Sequence, residues 1–138
     1  MIRIVISPSA EEDLDLLYEG GDDAADAAAE IETALDEISN DPHLLGRLHK
    51  KNFRSIGKPH FDVDRFEELW QKGLNMLRLK FWDWQGSVIP YRVLYAYDSR
   101  NDIYHVLAVV QRDYAYDTNH PILIRVRAQY DALGLPTY

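Results

Sequence analysis

Four basic side chains sit where strand alternation would gather them. Leu77, Leu79 and Phe81 alternate with Arg78 and Lys80, and Tyr91, Val93, Tyr95 and Tyr97 alternate with Arg92, Leu94 and Ala96. A nearly continuous apolar run, Ile103–Val110, then leads to Arg112. If the turn centred near Arg100 pairs residues equidistant from it, Arg92 faces Ala108 and even-numbered residues of both strands share a face, so Arg112 lies on the side of Arg92. A group of cations on a sheet with no acid alternating among them suits a phosphodiester, because guanidinium forks bind phosphate oxygens bidentately. The alternative is a solvated basic face with no ligand. For Arg112 there is another, a surface ion pair with Asp113 or Asp117.

Other chemistries are narrowed by composition. The chain has 138 residues, 46% apolar, 28% charged and without cysteine, which removes thiol catalysis and thiolate zinc sites. This length is that of one soluble domain, able to bury roughly two thirds of its unfolded surface without a staple. In Met1–Ala10 the stretch Ile4-Val5-Ile6 is far shorter than a signal segment, and no run approaches a membrane span, so the expectation is a cytoplasmic protein that does not engage membranes. The formal charge of −8 is unevenly distributed: residues 1–42 carry 13 acids against one Arg, and residues 43–138 carry 10 acids against 14 Lys and Arg. Arg47, Lys50, Lys51, Arg54 and Lys58 fall in a stretch, 43–60, that contains no acid, which keeps a phosphate-binding face open despite the net charge.

The five histidines are dispersed. His60-Phe-Asp62-Val-Asp64 has metal-ligand types, but a short acidic loop capping a helix has the same composition and is the commoner case, so no metal is expected. No Gly-rich phosphate loop, serine elbow or dinucleotide fingerprint occurs, so no cofactor is expected. Asp13, Asp15, Asp22 and Asp23 read as surface charge.

The elements that must position the cations follow from periodicity. Met1–Ile6 reads as a strand stopped by Ser7-Pro8. A helix follows, with Ser9 and Glu12 as its capping box and Ala10, Leu14, Leu17 and Tyr18 at helical spacing up to Gly20-Gly21. A second runs from Asp22 to about Ser39, with Ala24, Ala28, Ile31, Ala34/Leu35 and Ile38 in one stripe and Asp26, Glu30, Asp36 and Glu37 outside it. Residues 43–62 read as an irregular or partly helical connection, and Asp64 as the cap of a short helix closed by Gly73. Three antiparallel strands turn at Gln85-Gly86 and Ser99–Asp102, the last central or covered on both faces, and a final helix runs from Pro121 to Leu133. The expected fold class is therefore α+β: an N-terminal strand and helical hairpin packed on a small antiparallel sheet with a meander, plus a C-terminal helix.

This order, with Asn75-Met76-Leu77-Arg78-Leu79-Lys80, then Pro90-Tyr91-Arg92-Val93-Leu94-Tyr95-Ala96-Tyr97-Asp98, then Val109-Val110-Gln111-Arg112-Asp113-Tyr114-Ala115-Tyr116, resembles the RelE/ParE superfamily of toxins from bacterial type II toxin–antitoxin pairs. The most specific pieces are the Tyr-Arg-Val-Leu-Tyr strand and the Arg-x-x-x-Tyr that closes the last one. RelE-like members are metal-independent endoribonucleases that cut mRNA in the ribosome, and the resemblance implies that activity. A ribose 2′-oxygen attacks the adjacent phosphorus while the bond to the 5′-oxygen breaks. One group must take the 2′ proton, one must stabilise the added phosphate charge, and one must protonate the leaving oxygen. By resemblance Arg92 binds the scissile phosphate, Arg112 stabilises the transition state or aids the leaving group, and Tyr116 orients or deprotonates the nucleophile, with Tyr114 its competitor. As a base, Tyr116 needs neighbouring cations to lower its proton affinity; as a structural residue it packs on the last helix. Arg78 and Lys80 stand for the basic residues of the preceding strand, and Lys50, Lys51 and Arg54 extend the RNA-binding surface.

Two features depart from the typical shorter, basic member: an added segment at about 51–74 within a single domain, and the acidic hairpin. The expected partners are a cognate antitoxin, mRNA and the ribosome. The alternatives are a ParE-like inhibitor that binds DNA gyrase without catalysis, and a non-toxic relative serving as an interaction module.

Overall fold

Ser7, rather than Ser9, starts the first helix. In the computed structural model, which describes residues 2–113 and 119–137, the Ser7 side chain accepts a hydrogen bond from the Ala10 amide and Pro8 occupies the first turn of α1 (Pro8–Glu19). Proline fits there because its missing N–H has no helical partner at that position anyway. The strand before it, β1 (Arg3–Ile6), is the predicted one. α2 (Asp22–Ser39) buries Ala27, Ala28, Ile31, Ala34, Leu35 and Ile38, and its alanines let it lie close to α1 and the sheet. Asp41 then caps a single turn, α3 (Pro42–Leu45), by accepting from the His43 and Leu44 amides.

The stretch read as irregular contains a β-hairpin. β2 (Arg54–Ser55) pairs antiparallel with β3 (Phe61–Arg65), and β3 pairs with β4 (Met76–Trp82). Asp64 therefore lies in a strand and is no helix cap; the helix that follows, α4 (Glu67–Gln71), begins after Phe66. β5 (Val88–Asp98), β6 (Ile103–Gln111) and α5 (Pro121–Ala132) complete the described elements. The sheet order is β1-β6-β5-β4-β3-β2. All its pairings are antiparallel except β1 with β6, which is parallel. The sheet is thus mixed rather than wholly antiparallel, because α1 and α2 return the chain to the far side of the meander. β6 lies between β1 and β5 and is buried almost throughout.

Two apolar layers flank the sheet. On one side Val63, Leu77, Leu79, Phe81, Val93, Tyr95 and Val109 meet the α1–α2 hairpin. On the other Met76, Leu94, Ala96, Leu107, Ala108 and Val110 meet α4 and α5 through Phe66, Leu69, Leu123, Val126 and Tyr130. The β5–β6 register shifts between Leu94 and Tyr95, so Leu107 and Ala108 both join the second layer. A bulge has this effect, since one extra residue breaks the period of two. Arg92 consequently pairs with Val110, and Ala108 faces Leu94; the simple mirror about Arg100 is two residues out there and one residue out past the bulge, where Ala96 pairs with His105, so even positions share a face only on the Arg92 side of the bulge.

Asp13 is not surface charge. Its carboxylate accepts from the Val109 amide at 3.0 Å and from Arg125 of α5 at 3.1 and 2.8 Å, with its side chain only 11% exposed. β1 ends opposite Val106, so Asp13 satisfies an edge amide of β6 beyond β1's reach and ties helices on opposite faces of the sheet together. No helix among the described residues is long and apolar enough to cross a membrane.

Candidate functional site

α4 and α5 cover only part of their side of the sheet. The remainder is open, and register dictates what lines it. One cross-strand row reads Arg54, Asp62, Lys80, Arg92 and Val110 over β2 to β6; the neighbouring row reads Asp64, Arg78, Leu94 and Ala108 over β3 to β6. The charged ends of both rows, with Asn52, line a cleft of about 510 Å³. The structure therefore brings Arg54, Arg78, Lys80 and Arg92 together.

It also brings two carboxylates that the sequence reading did not place there. Asp62 receives Arg54 in a two-pronged pair, Nε to Oδ1 at 2.7 Å and Nη2 to Oδ2 at 2.9 Å, and donating to this carboxylate holds the Arg54 guanidinium above its ordinary proton affinity. Asp64 accepts from Arg78 Nη2 at 3.4 Å. The expectation of cations with no acid among them is thus corrected. The acids come from β3, a segment whose sequence reads as a loop leading into a short helix. The signal was present, since Phe61 and Val63 alternate with Asp62 and Asp64 at a period of two.

Each cation has a distinct setting. Arg92 is 6% exposed, and its Nη1 donates to the carbonyls of Ile89 at 3.1 Å and Tyr91 at 3.3 Å. These bonds fix the plane of the fork against the cleft wall. Arg78 lies over the Phe66 ring at 5.3 Å, and Lys80 Nζ over the Trp82 ring at 5.0 Å. Arg54 approaches the same Trp82 ring at 5.7 Å, and His60 stacks on it at 4.2 Å. His60 is thereby a stacking partner, and no group of three or more metal-ligating side chains occurs among the described residues.

Lys50, Lys51 and Arg112 do not line this cleft. Lys51 pairs with Glu67 at 2.9 Å, a hydrogen bond that draws the Glu67 carboxyl below its ordinary value. Lys50 is exposed and acts electrostatically on His49, which is lowered first by burial and then by the Lys50 charge. Arg112 follows the end of β6, lines a shallow depression with Pro90, Tyr91 and Gln111, and has Asp113 Oδ1 at 4.0 Å from its Nε. Strand alternation stops at Gln111, one residue short of Arg112. Tyr116, with Tyr114 and Asp117, lies outside the described residues.

The arrangement can bind an anion between Lys80 and Arg92. Those two cations face each other directly across β4 and β5, a juxtaposition that costs stability when nothing negative lies near. Asp62 offsets it on one side by facing Lys80 from β3. With four cations against two carboxylates lining the cleft, the balance there is positive while the chain as a whole is at −8.

A family model, the ParE toxin of the type II toxin–antitoxin system parDE, matches residues 4–116. No curated protein and no solved structure matches the chain.

Proposed function

The chain belongs to the ParE toxin family of type II toxin–antitoxin systems, and within that family we propose, on the strength of its cationic cleft, that it is an endoribonuclease acting on mRNA there. The observation that carries this reading is the direct pairing of Lys80 with Arg92 inside a cleft also lined by Arg54 and Arg78. A phosphodiester there relieves the repulsion between the opposed cations and meets a guanidinium whose plane is already fixed by two carbonyls. In the reaction the 2′-oxygen attacks phosphorus, its proton leaves to a base, the bond to the 5′-oxygen breaks, and that oxygen gains a proton. Arg92 and Lys80 bear the charge that accumulates on the phosphate oxygens. Arg112 and Tyr116 take the leaving-group and nucleophile roles that the superfamily resemblance implies, and Lys50, Lys51 and Arg54 contact RNA outside the scissile phosphate. A single domain in which residues 51–74 are an addition supplies Asp62 and Asp64 to the cleft.

A second reading has its own observation. Asp62 and Asp64 engage Arg54 and Arg78, and Arg112 lines a different depression from Arg92. Both features favour a toxin that binds a protein target, DNA gyrase by the family likeness, without cutting RNA. Two assays on the purified toxin separate the readings: mRNA integrity in a reconstituted translation reaction, and supercoiling by gyrase. The nuclease reading expects mRNA cleavage, lost by about a hundredfold in Arg92→Ala, with supercoiling unaffected. Inhibited supercoiling with intact mRNA would replace it with the binding-inhibitor reading.

A further inference from the structure

We propose that the cognate antitoxin docks a basic segment with an apolar anchor into an acidic groove between α2 and the β4–β5 hairpin tip. This rests on the toxin reading, since toxin-family membership is what implies an antitoxin. The groove has a volume of about 700 Å³, with Asp23, Asp26 and Glu30 of α2 on one wall and Asp83, Trp84 and Val88 of the hairpin on the other. It continues past Trp84 into a second depression of about 340 Å³ that reaches Thr33 and Glu37, with Lys58 at the far end.

The positions 23, 26, 30, 33 and 37 fall on one face of α2, because residues three and four apart stack along a helix. At ~1.5 Å per residue this wall runs for about 21 Å, enough for some six extended residues at ~3.4 Å each. Its charge is one-sided. None of the ion pairs among the described residues includes Asp23, Asp26, Glu30 or Glu37. Trp84 is 82% exposed and Val88 36%, although the glycine turn behind them, Gly86 at φ 84°, and the Asp83 carboxylate bonded to the Gln85 and Ser87 amides hold the tip in shape. An exposed indole on a fixed turn is suited to anchor a partner, since tryptophan contributes large contact area with little conformational freedom to lose.

Charge complementarity selects the occupant. RNA is repelled by this wall, and the groove opens on the hairpin side of the sheet, where Ile89 points, whereas Arg92 and its cleft are on the other side. A segment rich in Lys or Arg with an apolar residue against Trp84 fits both features. Docking here leaves the cationic cleft uncovered, so the groove contributes affinity for the antitoxin, and neutralisation requires a further contact elsewhere.

The test uses the full-length toxin and the antitoxin encoded beside its gene, titrated at low and at physiological salt. Asp26→Lys with Glu30→Lys should weaken binding about tenfold or more and flatten its salt dependence. Trp84→Ala should weaken it about tenfold at both salt concentrations. Tryptophan emission should shift to the blue on binding in the wild type and not in Trp84→Phe. Glu12→Lys with Glu19→Lys makes the same charge change at exposed positions of α1 outside the groove and should bind within about twofold of wild type. The inference is overturned if the groove variants bind like wild type, if the α1 pair loses as much, or if the emission does not move. It is also overturned if the groove variants lose toxicity without antitoxin present, which would assign the groove to the target. A wild-type chain that neither arrests growth nor binds the antitoxin sinks the toxin reading itself; a toxic chain that is neutralised equally well with an altered groove sinks the groove alone.

Discussion

Asp13 ties both helical layers to β6, so Asp13→Ala should be among the most destabilising substitutions of a charged residue in this protein. The change removes acceptors for Arg125 Nη1 and Nη2 at 3.1 and 2.8 Å and for the Val109 amide at 3.0 Å. Hydrogen bonds to a charged group contribute about 1.5–3 kcal/mol, and a stranded buried donor costs about 1–3 kcal/mol. The Arg125 side chain keeps 34% exposure, so water recovers part of its solvation, and the expected loss is about 3 kcal/mol. For a chain of this length that corresponds to a Tm lower by roughly 10 °C. Arg125→Met should cost less, about 1–2 kcal/mol, because Asp13 retains the Val109 amide. The double variant should then fall short of the sum by about 1 kcal/mol or more. Urea unfolding of the four proteins measures all of this. A stability of Asp13→Ala within about 0.5 kcal/mol of wild type would refute the tie.

Three further outcomes are expected. The buried Tyr95 hydroxyl, held above its ordinary range by burial and then by Tyr104, donates to the Leu48 carbonyl; Tyr95→Phe should lower stability by about 1–2 kcal/mol, read as a shift in urea midpoint without a change in slope. His49 and His105 are both held below the usual 6.5, chiefly by burial. The unfolded chain therefore takes up their protons first. Their contribution is complete above that value and is lost as the pH falls below it, so the urea midpoint should drop between about pH 7.5 and 5, and less so in a His49→Gln, His105→Gln variant. Asp62→Asn leaves Arg54 without its carboxylate and Lys80 without its counter-charge; it should tighten binding of an RNA oligonucleotide by about threefold or more at low salt, and weaker binding would count against the cleft as an anion site.

Much of the fold is legible in the sequence because its signals are local. Asp22 to Ser39 carries an unbroken apolar stripe, and the helix forms over that span; Gly20, Gly86 and Gly134 mark ends and turns that the backbone adopts. What was not legible depends on distant pairing. β3 is five residues long between an irregular hairpin and a short helix, and its alternation of Phe61 and Val63 with two aspartates reads equally as an acidic loop until β4 supplies the partner. The β-bulge at Leu107 falls inside the unbroken apolar stretch 106–110, which carries no sign of it. Asp13 occupies one helix position among several acids, and only the docking of α5 and the edge of β6 gives it a role. In the site, Arg78, Lys80 and Arg92 follow from period and register, whereas Asp62, Asp64 and the separation of Arg112 follow from a strand pairing and a strand end that no local pattern encodes.

If mRNA is cut at the cleft holding Lys80 and Arg92, the RNA ends made in the cell must depend on Arg92. The decisive experiment induces the chain in a bacterial host without its antitoxin and maps mRNA 5′ ends across the transcriptome, for the wild type and for Arg92→Ala with its fold verified by urea unfolding. Growth arrest with new 5′ ends that disappear in the variant is expected. Arrest without new ends, or new ends that persist in a folded Arg92→Ala protein, would contradict cleavage at this cleft.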